Sequence, residues 1–208
     1  MEAEQMSTDN GSFKIPKNFF DENPVKELST AQLTYFQTVT ISIPGFNDEI
    51  EKIVVPFMES DRLEEYERER EQILQINHAE DAIQYMRKTK EMQNRGILIE
   101  KILSMQDDVM PLILKRLVNS AHDVFIETAT IALAYADMRY VEQLHDIFND
   151  IRSSYARSEA SLVFGVKKRK DFAPLLLEQY KKIKQECQEK DYEQGPLLAL
   201  YLIYHEKG

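Results

Sequence analysis

The chain has 208 residues, 30% of them charged and 43% hydrophobic, enough for one well-buried domain or a compact repeat array with an arm but not for a second full domain. Acidic residues outnumber basic ones 36 to 26, and the net charge of -10 argues against unselective nucleic-acid binding, which needs a basic face against phosphate. It suits a basic protein partner, or simply solubility. Cys187 is the only cysteine, so neither an intrachain disulfide nor a multi-cysteine metal site can form.

The opening residues 1–12 are polar enough to predict a disordered lead-in. They lack a basic segment followed by an apolar one, and no apolar run anywhere reaches the roughly 18 residues of a membrane span. The expectation is a cytoplasmic protein with no membrane association. Residues 13–58 hold Pro16, Pro24, Pro44 and Pro56, a density that breaks long helices and predicts an irregular N-terminal arm. Within it, Thr38 to Ile43 alternates polar and apolar residues and is β-branched at all positions but Ser42, the pattern of a short strand. Pro44-Gly45 then supplies a turn. Over residues 47–57 the apolar positions fit a helix (Ile50, Ile53, Val54, Phe57) slightly better than a returning strand (Ile53, Val55, Phe57).

From residue 59 onward the sequence predicts helices. Leu63, Tyr66, Ile73 and Leu74 form a thin apolar stripe in a strongly charged segment. An amphipathic two-helix unit is then written three times between Ile99 and Tyr180. The first helices share the rows Ile99, Ala129, Ala160; Ile102, Ala132, Val163; and Leu103, Leu133, Phe164. Each ends on a small residue (Ser104, Ala134, Gly165), expected to let the second helix fold back closely. The second helices share Ile113, Leu144, Leu176 and Leu117, Phe148, Tyr180, and a step back of 31 residues adds Ala82 and Met86.

Polar connections are expected at Gln106 to Asp108, Asp137 to Arg139 and Lys167 to Asp171, with Pro111 and Pro174 early in the helices that follow. Residues 119–123 and 149–154 offer helix N-caps. Gly195-Pro196 starts a final helix to Tyr204. That helix has no successor, and Tyr201 to Tyr204 give little polar cover, so this end is expected to be covered by the N-terminal arm or by another chain.

The segments Glu127 to Asp137 and Ala156 to Gly165 resemble the first helix of the HEAT-repeat superfamily, in its short, phycobilisome-lyase-like class of roughly thirty residues per unit. In that class an Arg precedes a run of small residues. Arg157 stands in that place, and Ile126 occupies it one unit earlier. The resemblance implies an all-α fold, an α-solenoid of antiparallel helix pairs in three to four repeats over residues 59–208, preceded by the irregular arm with its short strand.

No catalytic constellation is legible. His78, His122, His145 and His205 fall in separate units, without the i, i+4 spacing of a helical zinc site. Asp107-Asp108 reads as a turn and Asp146 with Asp150 as a solvated helix face, while six glycines leave little scope for a phosphate loop. No cofactor and no enzymatic activity are therefore expected. The Lys167-Lys168-Arg169-Lys170 run reads as a solvated turn before it reads as a polyanion site.

A solenoid presents its second helices side by side to a partner. The repeat register puts Gln84, Lys115, Asp146 and Glu178 in one outward row, with Arg116, Asn149, Lys181 and Lys182 beside it. This mixed-charge surface suits another protein or a peptide, so the expectation is a non-enzymatic interaction or scaffold module, with homo-oligomerisation through the arm or the C-terminal end as a further partner mode. Two alternatives stand beside it. One is a DNA-processing enzyme, since some HEAT-like proteins resemble alkylation glycosylases, which would need stacking aromatics such as Phe148, Phe164 or Tyr180. The other is an acidic inhibitor of a basic toxin.

Overall fold

A computed structural model describes residues 13–25, 52–53, 55–89, 91–187 and 189–205. The lead-in, the strand expected over Thr38 to Ile43 and the Pro44-Gly45 turn lie outside the described residues, as do residues 47–51 and Val54 of the 47–57 stretch. Lys52 and Ile53 are helical and Val55–Phe57 is a 3-10 turn. The described residues form helices joined by turns, with no strand among them.

Ten α-helices are described: α1 (Phe19–Glu22), α2 (Ser60–Leu74), α3 (Ala79–Lys88), α4 (Met92–Ser104), α5 (Gln106–Leu117), α6 (Asp123–Tyr135), α7 (Met138–Ile147), α8 (Ser154–Val166), α9 (Ala173–Glu186) and α10 (Gln194–Tyr204). Local chemistry explains several of the boundaries. Helix α3 carries Glu80 and Asp81 in its first turn and Arg87 and Lys88 in its last, complementing the partial charges at the helix ends. His122 caps α6, its ring nitrogen accepting from the Phe125 N–H, and Ser153 caps α8, its hydroxyl accepting from the Ala156 N–H at 3.2 Å. Lys168 takes a left-handed backbone (φ 52°), and the Arg169 and Lys168 N–H groups close back on the Phe164 and Gly165 carbonyls. This is the helix-terminating geometry usually given to glycine.

Every rung of the two ladders is buried: Ala82, Ile113, Leu144 and Leu176, and Met86, Leu117, Phe148 and Tyr180. The first-helix rows are buried as well, apart from the half-buried Leu103. A second regularity is visible in the packing partners. Helix α2 packs on α4, α4 on α6, α6 on α8 and α8 on α10, while α3 packs on α5 and α5 on α7. From α2 to α6, and again at α8, each helix thus meets the one two places further along.

Some boundaries and partners differ from expectation. Gln106, Asp107 and Asp108 form the first turn of α5 and not a connection, because Met105 offers its carbonyl to the Asp108 and Val109 N–H groups and two acids suit a helix start. Pro111 therefore lies inside the helix, where it forgoes a backbone hydrogen bond to the Asp107 carbonyl. Met138 and Arg139 likewise belong to α7. Leu74 is 53% exposed and stands outside the stripe that Tyr66 and Ile73 bury.

The small residue ending α8 serves another neighbour. A Cβ on Gly165 would sit 2.6 Å from the Ala199 Cα, so the glycine admits the backbone of α10. Gly195, at the start of α10, approaches Ser158 so closely that a Cβ would lie 2.2 Å from its carbonyl oxygen. Both contacts advance along α8 and α10 in the same direction. Ser104 at the corresponding place is exposed, its hydroxyl donating to the Lys101 carbonyl.

The N-terminal arm covers the C-terminal end. Phe19 meets Tyr180 edge to face at 5.7 Å, and Phe20 meets Tyr201 at 5.7 Å and His205 at 4.8 Å. The Asn23 Oδ1 accepts from the Tyr180 hydroxyl at 2.6 Å and from Lys184 at 3.2 Å, and the Tyr204 hydroxyl donates to the Phe13 carbonyl at 3.1 Å. These contacts join residues up to 191 apart in sequence and cover part of the apolar face of α10, leaving Tyr201 37% exposed.

Candidate interaction surface

The eight residues of the outward surface are all exposed. Gln84 lies on α3, Lys115 and Arg116 on α5, Asp146 on α7, Asn149 in the 3-10 turn after it, and Glu178, Lys181 and Lys182 on α9. Arg116 donates to Glu80 at 2.6 Å and Asn149 accepts from Gln179 at 3.1 Å, so two of the eight are already tied to a neighbouring unit. His145 stacks on Phe172 at 4.4 Å, which brings the end of α7 against the segment entering α9.

Lys115 and Arg116 are brought together with a residue that the sequence reading did not single out. Arg87, at the C-terminal end of α3, joins them around a groove of about 400 Å³ whose other lining residues are Glu80, Leu112, Asn119, Ser120 and Phe125. The signal was present, since stepping the Asn149 position back twice by the repeat length passes Val118 and reaches Arg87. A second, more polar cavity of about 340 Å³ lies among Arg62, Glu65, Tyr66, Arg68, Glu69, Gln72, Tyr85, Lys88 and Glu91. Burial pushes the Tyr66 phenol up, with Glu91 and Glu67 adding to it, and burial does the same at Tyr85. Both phenols are protonated at neutral pH and serve as hydrogen-bonding groups there.

A chain of polar contacts also runs between units. Asn94 donates to the Tyr66 carbonyl and to Glu69, Arg95 to Glu127 at 2.8 Å, and the Tyr155 hydroxyl to the same carboxylate at 3.0 Å. Arg157 donates to Glu186 on α9. Arg139 and Tyr140 both reach Asp107. These cross-unit contacts span 25 to 33 residues of sequence, close to the 31-residue step of the ladders. Arg95 and Arg157 sit one on each side of Ile126 in that register, nine-tenths buried, with each guanidinium Nε lacking a partner.

The basic run after α8 is drawn inward in alternate positions. Lys167 is half-buried and donates to the Ala136 carbonyl at 2.9 Å, and burial lowers its pKa. Arg169 binds Asp171 at 2.6 Å, lies near Glu142 and covers the Phe172 ring at 4.2 Å. Lys168 and Lys170 alone face solvent. The aromatics that nucleic-acid stacking would require, Phe148, Phe164 and Tyr180, are 0%, 0% and 4% exposed and occupied by the core.

Among the described residues no group of three His, Cys, Asp or Glu side chains is placed to hold a metal ion, and no helix is long and apolar enough to cross a membrane. Comparison with protein-family models, with curated proteins and with solved structures gives no match.

Proposed function

We propose that this chain is a short, HEAT-like α-solenoid of antiparallel helix pairs, acting as a non-enzymatic module that binds another protein through the exposed face of its second helices. The alternate packing of helices two places apart and the cross-unit contacts at nearly constant sequence separation support the solenoid reading. The observation that carries the binding role is the row itself. Gln84, Lys115, Asp146 and Glu178 recur once per unit, each exposed on a helix whose opposite face is fixed in the core. Side chains so mounted keep their spacing on a rigid scaffold, which lowers the ordering cost of binding.

Charge reversal along the row provides the test. With the Lys115→Glu, Asp146→Lys and Glu178→Lys substitutions combined, circular dichroism is expected to stay at the parental signal, because all three residues are exposed. A partner isolated with the parental chain is expected to lose at least tenfold in affinity by calorimetry. A partner bound as tightly by the reversed chain overturns the proposal.

A further inference from the structure

We infer that the groove between α3 and α5 is a docking site for an acidic peptide segment, whose carboxylates meet Arg87, Lys115 and Arg116 while an apolar side chain rests on Leu112 and the edge of Phe125. This inference rests on the reading of the second-helix face as a binding surface and names the ligand class for one part of it.

Three observations converge. The groove gathers three cations around one carboxylate, Glu80, which Arg116 already engages at 2.6 Å. Arg87 and Lys115, exposed in the same groove, leave a local excess of positive charge over that one carboxylate in a chain of net charge -10. The groove also has an apolar floor, with Leu112 half-buried and Phe125 almost fully buried. Asn119 and Ser120 at one end supply neutral polar groups suited to a peptide backbone.

The basic character is confined to this unit. One repeat step along, Asp146 stands where Lys115 was, Asp150 where Asn119 was and Val118 where Arg87 was. A long polyanion extended across the face would therefore meet carboxylates next, whereas a short acidic segment would not. Recognition of acidic motifs by clustered Arg and Lys over an apolar floor is an established mode of peptide binding, and guanidinium groups can hold a carboxylate in a bidentate fork.

The experiment uses the full chain and a short fluorescent peptide in which glutamates flank one leucine, read by anisotropy at low salt. Saturable binding is expected, weakened roughly tenfold in the Arg87→Gln/Lys115→Gln variant, as the loss of two charge contacts predicts. The Lys168→Gln/Lys170→Gln variant removes the same charge from the exposed turn after α8, outside the second-helix surface, and is expected to bind within about twofold of the parent. Replacing the leucine by serine is expected to weaken binding further. Absence of saturation, equal weakening in both variants, or preference for a phosphoserine peptide or a single-stranded oligonucleotide overturns the inference. If a protein partner depends on Asp146 and Glu178 yet binds Arg87→Gln/Lys115→Gln undiminished, the groove reading falls while the wider surface stands. If the peptide needs Arg87 and Lys115 while Asp146→Lys/Glu178→Lys leaves every interaction intact, the groove stands and the wider surface falls.

Discussion

The two ends of the helix set are finished in opposite ways. At the C-terminal end the cover is steric and aromatic: α10 lies on α8 through Gly165 and Gly195, and Phe19 and Phe20 close over Tyr180 and Tyr201. At the N-terminal end α2 buries Tyr66 and Ile73 and is rimmed by polar contacts, with Asn94 reaching Glu69 and the Tyr66 carbonyl, Arg62 reaching Glu91, and Tyr85 donating to Gln72. An end closed by backbone contact tolerates almost no added volume, because interiors are packed to crystal-like density. An end closed by exposed charge is tolerant, since each exposed pair contributes little. The difference predicts where substitutions will be felt.

The largest loss is expected for Phe164→Ala, whose ring is fully buried against Phe148, Phe172 and His145. Removing it should cost about 4 kcal/mol in denaturant unfolding. Gly195→Ala comes next, at about 3 kcal/mol, because the added methyl meets the Ser158 carbonyl, which cannot swing aside as the nearby hydroxyl could. A Gly195→Ala chain as stable as the parent would show that α10 can shift, and the contrast between the ends would weaken.

Asn23→Ala tests the arm. It removes the acceptor of both Tyr180 and Lys184, and a loss of about 1 kcal/mol is expected. Protease cleavage within residues 13–25 should accelerate with it, since the arm has few other polar ties to the end it covers. Unchanged cleavage would mean that Phe19 and Phe20 suffice to hold it.

Alkaline titration probes the middle, where Tyr155 links α8 to Glu127 on α6. Burial pushes the Tyr155 phenol well above its ordinary value, with Glu159 and Glu127 adding to it, and burial alone does the same at Tyr135. A raised folded pKa means that the folded chain retains a proton the unfolded chain releases. The associated stability is complete below the unfolded value of about 10 and declines as pH rises above it. Tyr155→Phe should flatten that decline in chemical unfolding measured across the alkaline range, with a loss of about 1 kcal/mol at neutral pH from the missing hydrogen bond. The smallest effect belongs to Arg62→Gln at the polar end, where Arg62 and Glu91 are 60% and 32% exposed. A change under about 0.5 kcal/mol is expected, and a larger one would show that this exposed pair matters beside the buried Tyr66 and Ile73.

The sequence by itself determined the helical period and the buried faces. The ladders from Ala82 to Leu176 and from Met86 to Tyr180 were legible because burial in an amphipathic helix is a local property, repeated wherever the same pattern recurs. It also identified the outward row, which follows from the buried one by geometry, and an apolar terminal helix in need of cover. Tertiary structure alone decided what meets what. Gly165 faces Ala199 of α10 because the close approach is set by how two first helices cross, a quantity no single helix encodes. Arg87 joins Lys115 and Arg116 only because α3 and α5 pack side by side. The choice of the arm as the cover depends on aromatic edges and an asparagine brought together over more than 150 residues of sequence, a pairing that periodicity cannot express.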